Sequence, residues 1–335
     1  MPKLLIVRSF KTIRWLLCIV GALALALAAM VATPLTRPAE LASISASRPG
    51  IEVSTLPAVE RFQARDGTML GFRRYPAGSP ATGRGAIVIH GSSGSSGSSI
   101  HVLSTALAAR GVETWAVDIR GHGTSGTRGD IGYVGQLEDD LADFVAVARK
   151  TNPTVPLTLI GHSAGGGFAL RVAGSPIRDL FVRTVLLAPY LGYDAPTNRP
   201  NSGGWANADI PRILGLLLLR KIGIDCCEAL PTLAFAVPPN SEQSLVPAYS
   251  DRLMRNFATR GYRSDLAAAT KPLTIFSGAA DELMLADKYE EAARAIKPSV
   301  DVKLIDGVNH IGIVSNPAAV SAIADDVATR GGAGS

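Results

Sequence analysis

Short apolar runs alternate with segments of helical spacing along most of the chain, and this alternation predicts its architecture. Runs of five or six apolar residues bounded by turn residues are typical of strands buried on both faces. The predicted strands are residues 85–90, 114–118, 156–160, 184–188, 273–277 and 300–305. The predicted helices are residues 99–110, 136–150, 285–296 and 317–329, and another that follows Ser163 and ends near residue 173. The pattern indicates an α/β fold with a mostly parallel, doubly wound sheet.

Two features modify this regular alternation. Near its start, the dipeptide Asp66-Gly67 lies between two strand-like segments and predicts a β-hairpin turn. In the middle, residues 190–267 contain clusters of Pro, Gly and Asn. The short helical pieces within that segment are residues 210–221 and 253–260. Because the alternation then resumes, residues 190–267 are interpreted as a cap inserted into a domain that spans residues 58–330.

An uninterrupted apolar run precedes this domain and predicts a membrane segment. Residues 15–32 carry no charge and follow a basic segment, residues 1–14. As a helix the run would reach roughly 27 Å, close to the hydrocarbon thickness of a bilayer. That length favours an uncleaved anchor over a cleaved signal peptide, although residues 26–28, Ala-Leu-Ala, offer a small-x-small cleavage site. Residues 33–57 are predicted to be a linker.

The distribution of charge adds an orientation for the anchor. No acidic residue precedes Glu40. Five basic residues do: Lys3, Arg8, Lys11, Arg14 and Arg37. By the positive-inside rule, the N-terminus is cytoplasmic and the domain is extracytoplasmic, whereas cleavage of the segment would give a secreted protein. The rest of the chain carries 28 basic and 28 acidic residues, so no net positive charge supports nucleic-acid binding.

Cysteine and histidine spacing predicts neither a metal site nor a cofactor. Cys18 lies inside the apolar run. Cys226 and Cys227 are adjacent, which is too close for an ordinary structural disulfide. The sequence contains no C-x-x-C pair and no Cys/His cluster. The predicted chemistry is therefore that of the chain's own side chains.

The stretch Gly-His-Ser-Ala-Gly at residues 161–165 predicts a nucleophile. A serine hydroxyl attacks poorly unless a base removes its proton. The G-x-S-x-G pattern places such a serine on a sharp strand-to-helix turn, where glycines two residues away on either side avoid crowding. A predicted strand precedes Ser163 and a predicted helix follows it, so the local context fits. The alternative is an ordinary glycine-rich turn.

The partners of Ser163 follow from chain order and elimination. Of the five histidines, only His310 follows the last predicted strand. Asp281 follows the strand at residues 273–277, so the order Ser163, Asp281, His310 is that of α/β-hydrolases. The carboxylate should orient the imidazole and stabilise its charged form. The rival carboxylates are Glu282, Asp194 and Asp306.

The predicted reaction also needs two N–H donors for an oxyanion. One should be the N–H of Ala164, the residue after the nucleophile. The other should come from the loop after His90-Gly91, from Ser92 or Ser93. The alternative for the Gly/Ser run at residues 91–99 is a flexible loop without a catalytic role.

A further motif makes the chain resemble a known group of enzymes. Residues 118–126, Asp-Ile-Arg-Gly-His-Gly-Thr-Ser-Gly, are similar to a motif of α/β-hydrolases of the monoacylglycerol lipase, lysophospholipase and serine-aminopeptidase-like type. The resemblance covers residues 59–328 and is weakest in the cap. It implies the α/β-hydrolase fold and a mainly structural role for residues 120–126. The chain departs from related lipases in its Gly/Ser run, and it lacks the H-G-G-P-G motif of proline iminopeptidases.

These observations predict a serine hydrolase that cleaves carboxylic esters, with a small-molecule or lipid ester as substrate. Examples are a monoacylglycerol or a lysophospholipid. The apolar cap segments either line the site or pack the cap on the main domain; they are residues 213–219, 230–237 and 245–247. One alternative is an amide or peptide hydrolase, and another is a membrane-tethered binding protein without activity. The sequence does not indicate an oligomeric state.

Overall fold

A computed structural model describes residues 2–48, 50–150, 152–238, 241 and 245–330, with side chains from residue 13 onward. The strands are β1 (Val59–Gln63), β2 (Met69–Tyr75), β3 (Arg84–Ile89), β4 (Val112–Val117), β5 (Leu157–His162), β6 (Arg183–Leu187), β7 (Ala206–Ala208), β8 (Pro231–Phe235), β9 (Ala248–Ser250), β10 (Leu273–Gly278) and β11 (Asp301–Ile305). The helices are α1 (Pro2–Val31), α2 (Ala42–Ser47), α3 (Ile100–Ala109), α4 (Gln136–Ala148), α5 (Ala164–Ala173), α6 (Ile210–Lys221), α7 (Asp251–Asn256), α8 (Tyr262–Ala268), α9 (Tyr289–Arg294) and α10 (Pro317–Thr329).

The main domain is built on an eight-stranded sheet with the order β1-β2-β4-β3-β5-β6-β10-β11. β1 pairs antiparallel with β2, and β2 pairs antiparallel with β4. The remaining neighbours pair in parallel. The predicted hairpin is present, because Gly67 adopts φ 86° and its N–H donates to Ala64 O at 2.8 Å. This mostly parallel sheet confirms the predicted fold class.

Helices cover both faces of the sheet, which explains why its central strands are apolar along their whole length. In β3, Ile87 and Ile89 point into the core shared with α4 and α5. Ala86 and Val88 point to the opposite face, where α3 and α10 pack. Successive strand residues alternate between faces, so each strand contributes to two cores.

The inserted cap contains more structure than its sequence pattern predicts. α6 has the predicted bounds, and the piece predicted at residues 253–260 is the shorter α7. The cap also holds a three-stranded antiparallel sheet, β7-β8-β9, and the helix α8, neither of which was predicted. β7 and β9 have three residues each, too few for a periodic pattern to be recognised in the sequence.

The segment expected to be a linker, residues 33–57, packs against the domain instead of hanging free. It contains α2 and a short 3-10 turn, Val53–Thr55. Ile44 in α2 is only 2% exposed and belongs to the main hydrophobic core. Asn309 Nδ2 donates to Ser47 Oγ at 2.5 Å, which fastens α2 near His310. Buried apolar surface thus holds this segment in place.

Helix α1 is long and apolar enough to cross a membrane, judged by its length and composition. The window Ile13–Val31 has a mean hydropathy of 2.2, and no part of it is buried. Its end joins the cap helix α6, because Arg212 Nε donates to Val31 O at 2.9 Å and Thr33 Oγ1 donates to Asp209 Oδ1 at 2.7 Å. The apolar helix is therefore held at the cap.

Candidate active site

The nucleophile predicted at Ser163 lies on a tight turn between β5, which ends at His162, and α5, which begins at Ala164. Ser163 adopts φ 53° and ψ −118°, a backbone conformation that costs a non-glycine residue free energy. Its N–H donates to Leu187 O at 2.9 Å, and its carbonyl oxygen accepts from Gly167 and Tyr190. These bonds hold the strained residue in place and present its side chain at the end of the sheet.

The two glycines of the pattern are required by close backbone contacts. A Cβ at Gly161 would lie 2.1 Å from Gly165 O, and a Cβ at Gly165 would lie 2.3 Å from His90 O. Neither position has room for a side chain, because the neighbouring atoms belong to backbone. The packing explains the spacing that made Ser163 recognisable in the sequence.

His310 and Asp281 form a buried pair at the ends of the neighbouring strands. The imidazole Nδ1 lies 2.8 Å from Asp281 Oδ2, and both residues are almost fully buried. The other oxygen, Oδ1, accepts from the N–H groups of Leu283 and Met284, each at 2.8 Å. The carboxylate is therefore fixed by the backbone while it holds the ring.

The electrostatics of the pair favour an ionised carboxylate beside a basic imidazole. Burial would raise the pKa of Asp281, but His310 and the two N–H donors outweigh it and lower that pKa. Burial would likewise lower the pKa of His310, but the charge and hydrogen bond of Asp281 raise it. This arrangement stabilises the protonated imidazole that a general base becomes when it takes a proton.

The rival carboxylates are placed elsewhere. Glu282 Oε2 accepts from the backbone N–H of His310 at 2.8 Å, so it supports the histidine's backbone and not its ring. Asp194 pairs with Arg263 at the surface, and Asp306 is exposed. Of the four carboxylates considered, only Asp281 contacts the His310 ring.

Ser163 and His310 line one cavity of about 290 Å³. Within the described residues, the Ser163 hydroxyl makes no hydrogen bond to the imidazole. Catalytic hydrogen bonds are often long in free enzymes and tighten when substrate binds. His162, the residue before the nucleophile, lines the same cavity. Burial, and then the charge of His310, lower the pKa of His162 to about 3, so it is neutral.

The two candidates for the second oxyanion donor, Ser92 and Ser93, differ in the structure. The Ser93 N–H donates to the Tyr249 hydroxyl at 2.7 Å, and its own hydroxyl donates to Val246 O. Ser92 lines the cavity, and its side-chain oxygen accepts from Trp205 Nε1 at 2.8 Å. The Ser93 N–H is thus already hydrogen-bonded, which favours the N–H of Ser92 as the second oxyanion donor.

The predicted donor Ala164 opens α5, so its N–H has no partner within the helix. Ala164 directly follows Ser163, and the N–H groups at a helix N-terminus favour negative charge nearby. Ser92 N–H and Ala164 N–H are therefore the donor pair that the geometry leaves available.

The motif at residues 118–126 supports the Gly/Ser loop, in agreement with the structural role that the resemblance implies. Asp118 accepts from the Ser96 N–H at 2.6 Å and from the Thr124 N–H at 3.0 Å. His122 Nε2 lies 2.6 Å from the Tyr249 hydroxyl. His122 Nδ1 lies 3.4 Å from Arg120 O, which can only accept, so Nδ1 carries the proton and Nε2 accepts from the Tyr249 hydroxyl. The chain Ser93–Tyr249–His122 joins loop, cap and motif.

The cavity has walls that the sequence did not predict. Ile44, Arg48 and Ile51 come from the segment expected to be a linker, and Trp205 comes from the cap. Of the apolar cap segments, residues 245–247 contribute Leu245. Residues 213–219 and 230–237 are absent from the described lining. No periodic pattern marks these contacts, because tertiary packing alone brings them to the site.

The described part of the chain contains no group of three or more His, Cys, Asp or Glu side chains that could hold a metal ion. Cys226 Sγ and Cys227 Sγ lie 2.8 Å apart as free thiols at the cap surface. Neither cysteine is among the described residues that line the cavity.

Comparison with known proteins agrees with the fold described above. The model of the serine aminopeptidase S33 family matches residues 83–222. A monoacylglycerol lipase from Mycolicibacterium smegmatis is 26% identical over 236 residues, which span 68% of this chain and 81% of that protein. A soluble variant of monoglyceride lipase from Saccharomyces cerevisiae, solved with a substrate analogue, has a TM-score of 0.63 at 18% identity. That match covers 83% of this chain and 97% of the yeast one.

A monoacylglycerol lipase from Paleococcus ferrophilus has a TM-score of 0.55 at 16% identity, over 78% of this chain and 98% of that one. The solved structures establish the α/β-hydrolase fold. The sequence matches show that this α/β-hydrolase chain is similar to the serine aminopeptidase S33 family over residues 83–222 and to a monoacylglycerol lipase over most of its length.

Proposed function

We propose that this protein is a serine hydrolase that cleaves carboxylic esters of lipids through an acyl-enzyme on Ser163. The observation that carries the proposal is the buried Asp281–His310 pair, 2.8 Å apart, beside the strained Ser163 in one cavity. A fixed carboxylate, an oriented imidazole and a hydroxyl that lines the substrate cavity are the parts that nucleophilic acyl transfer needs.

In the proposed reaction, His310 Nε2 takes the proton of Ser163 Oγ as that oxygen attacks the ester carbonyl carbon. The N–H groups of Ser92 and Ala164 stabilise the resulting oxyanion. The carbon–oxygen bond to the alcohol then breaks, and His310 gives its proton to the leaving oxygen. Water, deprotonated by His310, attacks the acyl-enzyme and releases the carboxylic acid, which restores Ser163.

The cavity lining supports an acyl chain as the group that enters the site. Apolar side chains line the cavity together with the Gly/Ser loop; they are Ile44, Ile51, Ile100, Leu245, Leu283 and Ile311. Pockets for small molecules are usually apolar with a few polar groups that orient the ligand. A monoacylglycerol or lysophospholipid fits this description, and the similar lipases act as a precedent for the former.

We further propose that α1 anchors the protein in a membrane, with the N-terminus cytoplasmic and the catalytic domain on the far side. The contacts between α1 and α6 support this arrangement, because they place the cap where the apolar helix ends. Apolar side chains that are exposed on and after α6 also support membrane anchoring; they are Ile210, Leu214, Leu217, Leu218, Ile222 and Ile224. The enzyme would then meet its lipid substrate at the bilayer surface.

A series of aryl esters with increasing acyl length tests the proposal directly. Wild type is expected to hydrolyse them, and Ser163→Ala is expected to lose at least about a thousandfold in kcat. Ser104→Ala is a matched control, since Ser104 is a buried serine whose hydroxyl donates to Ile100 O within α3 and has no other partner among the described residues. Equal turnover by wild type and Ser163→Ala would contradict the proposal.

A second candidate, an amide or peptide hydrolase, is favoured by the match to the serine aminopeptidase family. The same triad would serve both reactions, so only the substrate separates them. Aminoacyl arylamides assayed beside the aryl esters decide between them. Faster hydrolysis of the arylamides would favour the peptidase.

A further inference from the structure

Among the residues that the structure describes, none supplies a hydrogen-bonded or ion-paired carboxylate to Arg48, which lies at the wall of the catalytic cavity. It follows α2, is partly buried, and lines the same cavity as Ser163 and His310. Its guanidinium lies 5.6 Å from the centre of the Trp205 ring. Among the described residues, Glu40 acts on Arg48 only through its charge at longer range.

Two buried arginines of this protein, Arg120 and Arg171, each have a carboxylate partner, whereas the partly buried Arg48 has none among the described residues. Arg120 pairs with Asp140 at 2.7 Å, and Arg171 pairs with Glu138 at 2.6 Å. Removing a guanidinium from water without a counter-charge costs free energy, so burial of an arginine normally brings a carboxylate with it. Burial accordingly lowers the pKa of Arg48, and Glu40 offsets this only in part. An anion that entered the cavity would complete the missing pair.

Arg48 is connected to the catalytic centre by a short path of contacts. Its guanidinium lies over Trp205, whose indole N–H donates to Ser92 Oγ at 2.8 Å. Next to Ser92 is Gly91, where a Cβ would lie only 3.2 Å from Ser163 Cβ. A ligand that reaches Ser163 is therefore within the same small cavity as the arginine.

The described wall of the cavity carries positive charge and no carboxylate. Among the described lining residues there is no Asp or Glu, and Arg48 is the one with a permanent charge. His162 is neutral because its pKa is about 3, and His310 is paired with Asp281. An anionic group in the cavity would meet attraction at Arg48 and no carboxylate among those residues.

We propose that Arg48 binds an anionic group, a phosphate or a carboxylate, carried by the ester substrate. The planar guanidinium offers paired N–H donors that match either group, and the indole face beneath it holds the cation in position. This inference rests on the proposed function for turnover, and it narrows the substrate from esters in general to acidic lipid esters. The segment between anchor and domain then contributes selectivity for the substrate.

The test compares three substrates with one acyl chain: a 1-acylglycerol, a 1-acylglycerol 3-phosphate and a 3-O-acylglycerate, whose carboxylate is free. Neutral detergent micelles keep other anionic lipids out of the assay, so any anion effect comes from the substrate. The readout is kcat/KM for each acidic ester divided by kcat/KM for the neutral one. Wild type, Arg48→Gln and Arg48→Lys are compared. Arg61→Gln, which removes an exposed cation from β1, is the control.

We expect Arg48→Gln to lower the ratio for at least one acidic ester by about tenfold or more, the size of a charge-assisted contact. Arg48→Lys should retain part of the ratio, and Arg61→Gln should keep the wild-type value. A fall confined to the phosphate or to the carboxylate identifies which group is bound. An unchanged ratio in Arg48→Gln overturns the inference.

A binding measurement separates this inference from the proposed function. Dodecyl phosphate and dodecanol are titrated by calorimetry against wild type and Arg48→Gln, which requires no turnover. If wild type cleaves no ester, the proposed function fails. Weaker binding of the phosphate to the variant, by about tenfold, would still support the anion site. Equal binding by both proteins would overturn it.

Discussion

The main domain and the segments laid over it build the same cavity in different ways. In the main domain, Ser163, Asp281 and His310 lie just beyond the ends of parallel strands, held by backbone hydrogen bonds. The cap and the N-terminal segment add Trp205 and Arg48 from short, irregular stretches. In the function proposed above, catalysis and substrate selectivity therefore have separate structural origins, and mutations should separate them.

The largest effect is expected from Asp281→Asn. An amide cannot hold His310 in the required tautomer or stabilise its charge, so kcat should fall by about 10³–10⁴-fold. Aryl ester kinetics at saturating substrate measure this loss. Glu282→Gln is the matched control, since Gln can still accept from the His310 N–H, and its loss should stay below about tenfold. Similar losses in both variants would refute the assignment of Asp281.

The next effect concerns the cap surface beside α1. Leu214 and Leu218 are 45% and 47% exposed, four residues apart on one side of α6. Replacing both with Asn removes apolar contact with a bilayer and should lower turnover of vesicle-borne ester about tenfold. Turnover of a water-soluble ester should change little. Leu304→Asn, in β11 and 46% exposed, is the control and should affect neither assay.

A smaller effect is expected where the cap meets the oxyanion loop. Tyr249→Phe removes the hydroxyl that accepts from Ser93 N–H and bonds to His122. It should reduce kcat a few-fold and lower the free energy of unfolding by about 1–2 kcal/mol, measured by urea titration. Tyr262→Phe is the control, because that buried tyrosine makes no hydrogen bond within the described residues. Equal changes in both variants would contradict the proposal that the Tyr249 hydroxyl of the cap supports the oxyanion loop.

The smallest effect is a shift in pH dependence. His310 must be neutral to accept the Ser163 proton, and Asp281 raises its pKa above the ordinary value. The kcat/KM of wild type should therefore rise with pH through a midpoint above about 6.5. Asp281→Asn should move this midpoint to lower pH, because the charge that favours the imidazolium is gone. A midpoint that moves upward would contradict the electrostatic account.

The two regions also differ in how far their sequence predicts them. The sequence itself displays the strand before Ser163 and the two glycines around it. It also displays the order of Asp281 and His310 along the chain, so these three residues could be proposed without a structure. Arg48 and Trp205 reach the cavity through tertiary packing, and nothing in their immediate sequence marks them. The same packing distinguishes Ser92 from Ser93, since Tyr249 lies more than 150 residues away from both along the chain.

Segment 33–57 is a second example of a structure that its sequence did not predict. Its Pro and Ser content predicts a linker, yet Ile44 and Ile51 give it enough apolar surface to pack beside the site. A few buried side chains determine where such a segment packs. The average composition of the segment does not reveal them, because it is dominated by the other residues. Cap strands as short as β7 escape prediction for a related reason, because three residues carry no period.

The central claim is that Ser163 is the nucleophile, and a fluorophosphonate tests it most directly. Intact-mass and peptide mass spectrometry after labelling should find one adduct per chain, on the peptide that contains Ser163. Ser163→Ala should take up none, and Asp281→Asn should react far more slowly. An adduct on a different serine, or equal labelling of Ser163→Ala, would contradict the account.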